Sequence, residues 1–353
     1  MKINVCSETE ILHMHGEGVS TSFLNCVELL NEDKDLEVLI NNEGIGDIMH
    51  CHTYGPYYFL RGLKYKGRKV YTAHVIPDSA KGTFPAWKLL MPLFKWYLKK
   101  VYSYADVCIA ISPMVENAIK ELGVKTKIVR MNNPLLIDLW KRNPELRKRG
   151  REILGLNENE FCVLGVGQLE NRKGCSDFIK IGEQLSNVQF RWVGGRPFGM
   201  FTDGYQTINK GIENATKNIK FAGMFELSEM PSIYAAADMF IFPSYQENCP
   251  LAPIEAAASG MPVIYRDIEE YKTLYKNNYL KAETNDEFVE WIKKMMTNKE
   301  NYDNGLKISE KLISQFDKNE IRKELIKVYK ALADTNYISD TKVYVNLETA
   351  RGK

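Results

Sequence analysis

The sequence lacks any apolar run of the roughly 18 residues that a transmembrane helix requires. Its seven cysteines include no C-x-x-C pair, which argues against a zinc ribbon and against a thioredoxin-like redox site. The opening MKINVCSETE turns polar after one short apolar stretch, whereas a signal peptide carries a longer one. These absences predict a cytoplasmic protein with buried, reduced thiols and without a membrane-spanning helix.

Acidic residues are scarce in one segment of the chain. Between His50 and Tyr104, ten lysines and arginines accompany a single acidic residue, Asp78, although the whole chain has a net charge of only +2. A local basic zone on a nearly neutral protein indicates an anionic surface as its partner.

The stretch from residue 86 to 104, AWKLLMPLFKWYLKKVYSY, contains no acidic residue. Pro92 suits the first turn of a helix, and Leu93, Phe94, Tyr97 and Val101 would then form an apolar stripe. Basic amphipathic helices with aromatic residues lie in membrane interfaces, where anionic lipid adds roughly 1 kcal/mol per nearby Lys or Arg. The alternative is an ordinary helix whose stripe faces the core. The charge balance favours membrane contact, for which the candidates are Trp87, Lys88, Phe94, Lys95, Trp96, Lys99 and Lys100.

Short apolar runs alternate with helical patterns along the chain, which is typical of parallel sheets covered by helices. A chain of 353 residues is too long for one ordinary core. We therefore predict an α/β protein of two Rossmann-like, doubly wound domains, 1–145 and 146–334, facing each other across a cleft, with C-terminal helices and a tail, 335–353. The boundary falls in the charged stretch Asn143–Arg151. Ligands of such sheets bind at the carboxyl ends of the strands.

The first candidate motif is a pair of glycines, Gly16 and Gly18, between the first strand and the first helix. Glycines let a backbone approach a phosphate, and a helix N-terminus complements its charge. The alternative is a plain strand-to-helix turn.

The second motif is the loop Gly165–Gly174, which contains Gln168, Arg172 and Lys173 and follows the first strand of the second domain. Two adjacent cations beside a diphosphate neutralise the charge that develops as it leaves. The alternative is a solvated basic turn.

The third motif is the pair Glu247 and Glu255, between a predicted strand, Asp238–Tyr245, and a predicted helix, Leu251–Ser259. The free N–H groups of the helix N-terminus attract a phosphate, and two carboxylates can take hydroxyl groups on either side of it. A nucleotide sugar has this layout. The alternative is a surface acid and an unrelated helix acid. The loop between the two carboxylates consists of Asn248, Cys249, Pro250 and Leu251.

His74 ends a predicted strand, where its ring can donate a hydrogen bond to an oxygen in the cleft. The alternative is a core histidine whose hydrogen bonds are satisfied internally.

Position and spacing disfavour two alternative metal sites, so we expect no bound metal. The D-x-D of Asp33 and Asp35 lies in a polar turn, away from the predicted cleft. Two H-x-H pairs match no familiar zinc spacing; they are His13 with His15 and His50 with His52.

These motifs, in this order over roughly residues 1 to 330, resemble glycosyltransferase family 4, whose members have the two-domain GT-B fold. Several phrases are similar to those of bacterial diacylglycerol glucosyltransferases, which make the glycolipid anchor of lipoteichoic acid. The phrases are Tyr54-Gly55-Pro56, Val166-Gly167-Gln168, Trp192-Val193-Gly194-Gly195, Glu247-Asn248-Cys249-Pro250-Leu251 and Arg266-Asp267-Ile268.

The resemblance implies a role for each site residue. Glu255 would hold the ribose of the donor nucleotide, and Glu247 the transferred sugar. Arg172 and Lys173 would neutralise the diphosphate, and His74 would contact the sugar near the reacting carbon. The backbone around Gly16, Gly18 and Gln168 and the loop of Asn248, Cys249, Pro250 and Leu251 would complete the donor site.

Two departures from the family pattern affect this site. Many relatives have Arg where Gln168 stands, so that Arg172 and Lys173 remain as the main neutralising pair. Many relatives have Gly where Pro250 stands, and Pro250 lacks the N–H of a backbone donor. We interpret both as traits of a subgroup, because both glutamates are present.

The resemblance implies a retaining, metal-independent hexosyltransferase that needs no cofactor, since the UDP-sugar is a substrate. We expect UDP-glucose as donor, with UDP-galactose as an alternative, and diacylglycerol as acceptor, at the inner face of the cell membrane. The expected partners are a nucleotide sugar, an anionic membrane surface and a lipid, and no nucleic acid. Two other functions stay open: a soluble transferase that extends a capsular or cell-wall glycan, and an inactive GT-B shell that senses nucleotide sugars.

Overall fold

The computed structural model describes residues 1–11, 18–44, 46–80, 87–196, 199, 202, 204–276 and 278–334. Gly16, His13, His15 and the tail 335–353, on which the sequence raised expectations, lie outside these residues.

The first half of the chain forms a parallel sheet of six strands. The strands are β1 (Lys2–Cys6), β2 (Glu37–Ile40), β3 (Ile48–Cys51), β4 (Arg68–Ala73), β5 (Val107–Ala110) and β6 (Lys127–Arg130). Their order is β2-β1-β3-β4-β5-β6, and every neighbouring pair is parallel. The order reverses beside β1, which is the doubly wound arrangement predicted from the sequence.

The second half forms another parallel sheet of six strands. The strands are β7 (Cys162–Val166), β8 (Gln189–Val193), β9 (Ile219–Gly223), β10 (Met239–Phe242), β11 (Val263–Arg266) and β12 (Leu280–Ala282). Their order is β12-β11-β10-β7-β8-β9, again all parallel. The prediction of two doubly wound sheets is confirmed.

Helices fill the connections. They are α1 (Glu8–Ile11), α2 (Gly18–Asn31), α3 (Pro56–Gly62), α4 (Trp87–Ser103), α5 (Pro113–Glu121), α6 (Ile137–Trp140), α7 (Pro144–Leu154), α8 (Cys175–Glu183), α9 (Tyr205–Asn214), α10 (Met230–Ala236), α11 (Ala252–Ala258), α12 (Glu269–Tyr275), α13 (Asn285–Thr297), α14 (Lys299–Ile313) and α15 (Lys318–Ala333). Across the described residues, none of these helices combines the length and the apolar character that a membrane crossing demands.

Helix α4 begins five residues earlier than predicted, so Pro92 lies inside the helix and not at its start. The ring of Pro92 removes only the hydrogen bond to the carbonyl of Lys88, in the exposed first turn. The predicted apolar stripe is also divided. Val101 is buried and Phe94 packs against the core, whereas the side chain of Leu93 is 62% exposed.

The charged stretch that the sequence suggested as a domain boundary forms a helix, α7. The side chain of Asn143 accepts a hydrogen bond from the Leu146 N–H, Pro144 occupies the first turn, and Gly155 ends the helix in the left-handed conformation. Helix α7 packs against α10 so closely that a Cβ on Gly150 would lie 1.8 Å from the carbonyl oxygen of Ser232. The stretch therefore belongs to the packing of the second half of the chain.

The last helix, α15, covers the first sheet, although it falls within the predicted second domain, 146–334. Ile321, Leu325 and Tyr329 are buried in one cluster with Ile3 and Val5 of β1. The chain therefore returns from the second sheet to complete the core of the first.

The carboxyl ends of the two sheets face each other. The side-chain amide of Asn248, after β10, donates to the carbonyl of His74 and to the hydroxyl of Ser79, both after β4, at 2.9 Å each. Asn132 also links the two halves of the chain, because it donates to the carbonyl of Gln315 at 3.0 Å. The cleft between the sheets is thus closed at one point by a side chain of a candidate donor loop.

We predict that Gly150→Ala lowers the free energy of unfolding by about 2 kcal/mol or more, because a methyl group there forces α7 away from α10. Lys148→Ala, on the exposed face of the same helix, should change it by less than about 0.5 kcal/mol. Urea denaturation measures both. Equal midpoints for the two variants would contradict this account of the packing.

Candidate functional site

The loop after β7 is pressed against the second sheet by its glycines. Gly174 has a φ of +75°, and a Cβ there would lie 2.3 Å from the carbonyl oxygen of Pro243, at the end of β10. Only glycine combines this conformation with so close an approach. Gly174 ends a short 3-10 helix, Asn171–Lys173, so the two cations of this helix are held beside the loop that follows β10.

Lys173 and Glu247 form a buried ion pair. The ammonium Nζ of Lys173 lies 2.5 Å from the Glu247 Oε1, which also accepts a hydrogen bond from the Ser244 hydroxyl at 2.7 Å. The Lys173 side chain is 14% exposed and that of Glu247 only 7%. Burial lowers the pKa of Lys173, and the Glu247 carboxylate opposes this shift. Lys173, predicted to neutralise the diphosphate, and Glu247, predicted to hold the transferred sugar, therefore contact each other directly.

Arg172 also has an acidic partner. Its Nε lies 2.8 Å from the Glu170 carboxylate, and its terminal nitrogens approach the side chain of Gln168 at 3.3 Å and the carbonyl of Gln246 at 3.5 Å. Gln168, which stands where many relatives have Arg, therefore contacts the guanidinium of Arg172. The side chain of Arg172 is 31% exposed, so part of it is accessible to a ligand.

Glu255 lies in α11 and is buried. Its Oε2 accepts a hydrogen bond from the Tyr234 hydroxyl at 2.7 Å. Burial raises the pKa of Glu255 to about 7, and the bond from Tyr234 opposes part of that rise. A carboxyl group with such a pKa is a mixture of charged and neutral forms near neutral pH, and it is poised to accept hydrogen bonds from hydroxyl groups.

The loop between the two glutamates has buried side chains at Cys249, Pro250 and Leu251. These side chains face the protein, so what the loop offers to the cleft is its backbone and the half-buried Asn248. The Asn248 Oδ1 is buried and has no hydrogen-bond partner among the described residues.

His74 is buried at the end of β4, with Nε2 3.3 Å from Nδ1 of His52. Burial lowers the pKa of His74 to about 4, so the ring is neutral near pH 7. Gly18 is exposed at the first residue of α2, with no atom near the position of a Cβ, while Gly16 lies outside the described residues.

The metal alternatives find limited support. Cys26, His50 and His52 bring one potential ligand atom each within 4.8 Å of one another. Both ring nitrogens of His50 are engaged, however, by the hydroxyls of Tyr329 at 2.6 Å and Thr72 at 2.7 Å. A metal would have to break one of these bonds.

The D-x-D has a structural role. The Asp33 carboxylate accepts a hydrogen bond from the Asp35 N–H in the turn between α2 and β2. This turn precedes β2, at the amino end of the first sheet and away from the carboxyl ends where ligands bind.

The surface of α4 combines apolar and basic stripes. Leu89, Leu93 and Trp96 share one face, spaced by four and three residues, and are 80%, 62% and 56% exposed. The neighbouring helix α3 adds Leu60, and Leu63 follows directly after that helix; they are 58% and 45% exposed. We call these five side chains the apolar band. They are flanked by the exposed lysines Lys88, Lys95, Lys99 and Lys100.

Phe94 and Trp87 differ from the other residues predicted to contact a membrane. Phe94 is half-buried against the core, with its ring centroid 6.0 Å from that of Tyr54, in the segment before α3. Trp87 starts α4, and its side chain is outside the described part.

Sequence reasoning missed several residues of this site. They are Glu170, Ser244, Tyr234 and Ser79 around the cleft and Leu60 and Leu63 in the apolar band. A signal existed only for α3, where Pro56 after Gly55 marks a helix start.

Known proteins similar to this chain agree with the geometry. Residues 147–312 match the family of group 1 glycosyl transferases, and residues 36–137 match glycosyltransferase family 4. The α-galactosylglucosyldiacylglycerol synthase of Streptococcus pneumoniae is 33% identical over 304 residues, which span 84% of this chain and 81% of that protein. The processive diacylglycerol α-glucosyltransferase of Acholeplasma laidlawii is 31% identical over 240 residues, which span 67% of this chain and 71% of that protein.

Among solved structures, HepE of Anabaena, crystallised with UDP and glucose, has a TM-score of 0.74 at 18% identity and covers 94% of this chain and 100% of its own. At this identity the likeness concerns the fold, and it confirms the GT-B architecture. The chain belongs to the family 4 glycosyltransferases, as the resemblance of its motifs indicated.

We predict that Glu255→Gln stabilises the ligand-free protein at pH 8 by up to about 3 kcal/mol and has little effect near pH 4. The folded pKa of about 7 lies above the ordinary 4.5, so the folded state binds more protons between these values. The free energy of unfolding therefore falls as pH rises through this window. Urea denaturation at both pH values measures the effect, with the exposed Glu183→Gln as control. A pH-independent difference between wild type and Glu255→Gln would contradict the raised pKa.

Proposed function

We propose that this glycosyltransferase moves a hexose, glucose in the first instance, from a UDP-sugar to a diacylglycerol-based lipid at the inner surface of a membrane. The reaction retains the anomeric configuration and needs no metal ion. The observation that carries the proposal is the buried Lys173–Glu247 pair of the second domain, next to Asn248, whose side chain donates to the backbone carbonyl of His74 in the first.

The donor is supported by the chemistry of this cluster. Arg172 and Lys173 place two cations beside each other at the carboxyl end of β7, where the negative charge of a departing UDP needs compensation. Each cation already has a carboxylate partner within the protein: Arg172 pairs with Glu170, and Lys173 pairs with Glu247. A diphosphate would share or replace these partners. Fixed cations can thereby supply the charge that other transferases obtain from a divalent ion.

The two glutamates suit the two ends of a UDP-sugar. Glu255 is buried and held by Tyr234, which leaves lone pairs of its carboxyl group for ribose hydroxyls. The Oε1 of Glu247 accepts hydrogen bonds from Lys173 and Ser244, which leaves its Oε2 for hydroxyls of the sugar. A carboxylate so occupied is a poor nucleophile. This favours attack by the acceptor hydroxyl from the side of the leaving group, as the resemblance implies for a retaining enzyme.

A lipid acceptor is supported by a pocket between the two domains. It has a volume of about 460 Å³ and lies among α4, α5, α12 and the segment after β4, with Ile76, Lys95, Met114 and Asn117 on its walls. The same segment binds Asn248 of the donor loop through Ser79, and α4 carries the apolar band. The pocket thus lies between a surface suited to lipid and the candidate donor site.

The charges of this pocket favour an uncharged polar head. Among the described residues that line it, four are acidic and one, Lys95, is basic. A lipid phosphate would meet like charges there, whereas hydroxyl groups can donate to carboxylates. The acidic residues are Asp78, Glu121, Glu269 and Glu270.

The names of two relatives support the same class of acceptor. The pneumococcal and Acholeplasma proteins are named for products or acceptors built on diacylglycerol. The apolar band with its lysines supports peripheral binding to an anionic membrane, because apolar area and basic charge add in such binding. A transferase that extends a glycan on a soluble acceptor would have no use for this surface.

We predict that Lys173→Ala and Glu247→Ala each lower turnover by at least about 100-fold, because each removes a group that acts on the leaving group or orients the sugar. Transfer from UDP-glucose and UDP-galactose to lipid, followed by thin-layer chromatography, measures it. The exposed Lys180→Ala serves as control.

Each single variant leaves a buried charge without its partner and is expected to lose stability. The double variant Lys173→Ala/Glu247→Ala removes both charges, so it should recover stability and still lack turnover. Near-normal turnover in both single variants would remove these residues from the site.

We predict that Leu93→Ser/Trp96→Ser weakens binding to vesicles of equal parts phosphatidylglycerol and phosphatidylcholine by at least about 10-fold, since two apolar side chains leave the lipid. Lys95, Lys99 and Lys100 changed together to Glu should have an effect at least as large. Vesicle sedimentation measures both variants. The matched control changes three exposed lysines of the second half, Lys180, Lys293 and Lys307, to Glu. Absence of vesicle binding by the wild type would favour a soluble acceptor.

A further inference from the structure

Three buried histidines stand side by side at the carboxyl ends of β3 and β4. His50 and His52 are two residues apart, so their side chains share one face, and their ring centroids are 4.6 Å apart. His74 follows with its ring stacked on that of His52 at 5.4 Å. Each residue is at most 8% exposed. The row connects the interior of the first domain to the cleft.

Most nitrogens of this row have partners. His50 is hydrogen-bonded on both sides, by Tyr329 of α15 and by Thr72 of β4. Nδ1 of His52 lies 3.3 Å from Nε2 of His74. Nε2 of His52 is buried without a partner among the described residues. Nδ1 of His74 has no hydrogen bond to another described residue either, and unlike Nε2 of His52 it belongs to the residue that lies beside the donor loop.

Burial keeps the three rings uncharged near pH 7. It lowers the pKa of His50 to about 3 and that of His74 to about 4, and it lowers the pKa of His52 as well. A neutral imidazole carries one N–H and one lone pair, so the two rings that share a hydrogen bond determine each other's tautomer.

Two arrangements are possible for His52 and His74. If Nδ1 of His52 carries the proton, it donates to Nε2 of His74, and the proton of His74 is then on Nδ1. If Nε2 of His74 carries the proton instead, Nδ1 of His74 is a bare acceptor and Nε2 of His52 carries a buried N–H. The first arrangement makes His74 a donor towards the cleft, and the second makes it an acceptor.

The surroundings of His52 favour the first arrangement. His52, Cys26 and Ser22 line a cavity of about 20 Å³, which is room for one water molecule. The Cys26 sulfur lies within 4.8 Å of a His52 ring nitrogen, and burial raises the pKa of its thiol to about 12. The thiol therefore keeps its hydrogen. A thiol S–H suits a lone pair on Nε2, whereas sulfur is a weak acceptor for an N–H, so Cys26 favours the first arrangement; a water in the cavity would serve either one.

The geometry points to His52 as a positioning residue for His74: the Nδ1–H of His52 donates to Nε2 of His74 and fixes the Nδ1–H of His74 as a donor to a hydroxyl or ring oxygen of the transferred sugar. The second half of this inference rests on the proposed function, and the tautomer itself does not.

Nitrogen-15 NMR of the full-length protein labelled at histidine tests the tautomer directly. The chain has five histidines, so single substitutions assign the signals. We expect the proton of His74 on Nδ1 and bare nitrogen at Nε2 in the wild type. A proton on Nε2 of His74 would overturn the inference, whatever the protein transfers.

Two variants test the consequence for catalysis. His52→Leu removes the donor, so the proton of His74 should move to Nε2 and kcat should fall about 10-fold, with little change in the KM for the UDP-sugar. His52→Asn keeps an N–H near the position of Nδ1 and should preserve the tautomer and most of kcat. An unchanged tautomer in His52→Leu, or equal kcat losses in both folded variants, would contradict the positioning role. If no UDP-sugar is used at all, the proposed function fails and the tautomer measurement still stands.

Discussion

The contact between the Lys173 ammonium and the Glu247 carboxylate holds together the two loops of the second domain that face the cleft. Taking either charge out of water alone costs several kcal/mol, so neither residue is tolerated there without the other. The left-handed turn at Gly174 brings the lysine to its partner, and the Ser244 hydroxyl completes the coordination of the shared oxygen. The pair also holds the Lys173 ammonium at the place where, in the proposed reaction, the departing UDP needs a positive charge. The packing of these two loops and the proposed chemistry therefore both depend on the contact between Nζ of Lys173 and Oε1 of Glu247.

The parallel sheets were predictable because buried strands leave continuous apolar runs in the sequence. The predicted strand Asp238–Tyr245 contains β10, and the predicted helix Leu251–Ser259 contains α11 with one further residue at each end. The edge strand β12 was missed, since three residues with a central lysine make no such run. Helix α7 was missed for a different reason. It is mostly charged and packs through Gly150, whose contribution is the absence of a side chain.

The sequence was enough to predict which loops form the candidate site, but not which residues their side chains contact. Lys173, Glu247 and Glu255 follow strands or begin helices, and the carboxyl ends of parallel strands share one edge of a sheet. Their partners Ser244, Tyr234 and Glu170 are ordinary residue types with no motif of their own. Their roles arise only when segments meet in space, as when the Tyr234 hydroxyl reaches a carboxylate 21 residues away. The apolar band was underestimated because two of its five side chains, Leu60 and Leu63, lie in or just after α3, outside the acid-free stretch.

The return of α15 to the first sheet sets a condition on biosynthesis. Domains usually fold in turn as they leave the ribosome, the N-terminal one first. Here the Tyr329 side chain and its apolar neighbours fill a core whose other walls emerge some three hundred residues earlier. The core of the first domain therefore stays uncovered on the α15 side until the second domain has been translated. A nascent chain stalled before residue 318 would expose that apolar surface to chaperones.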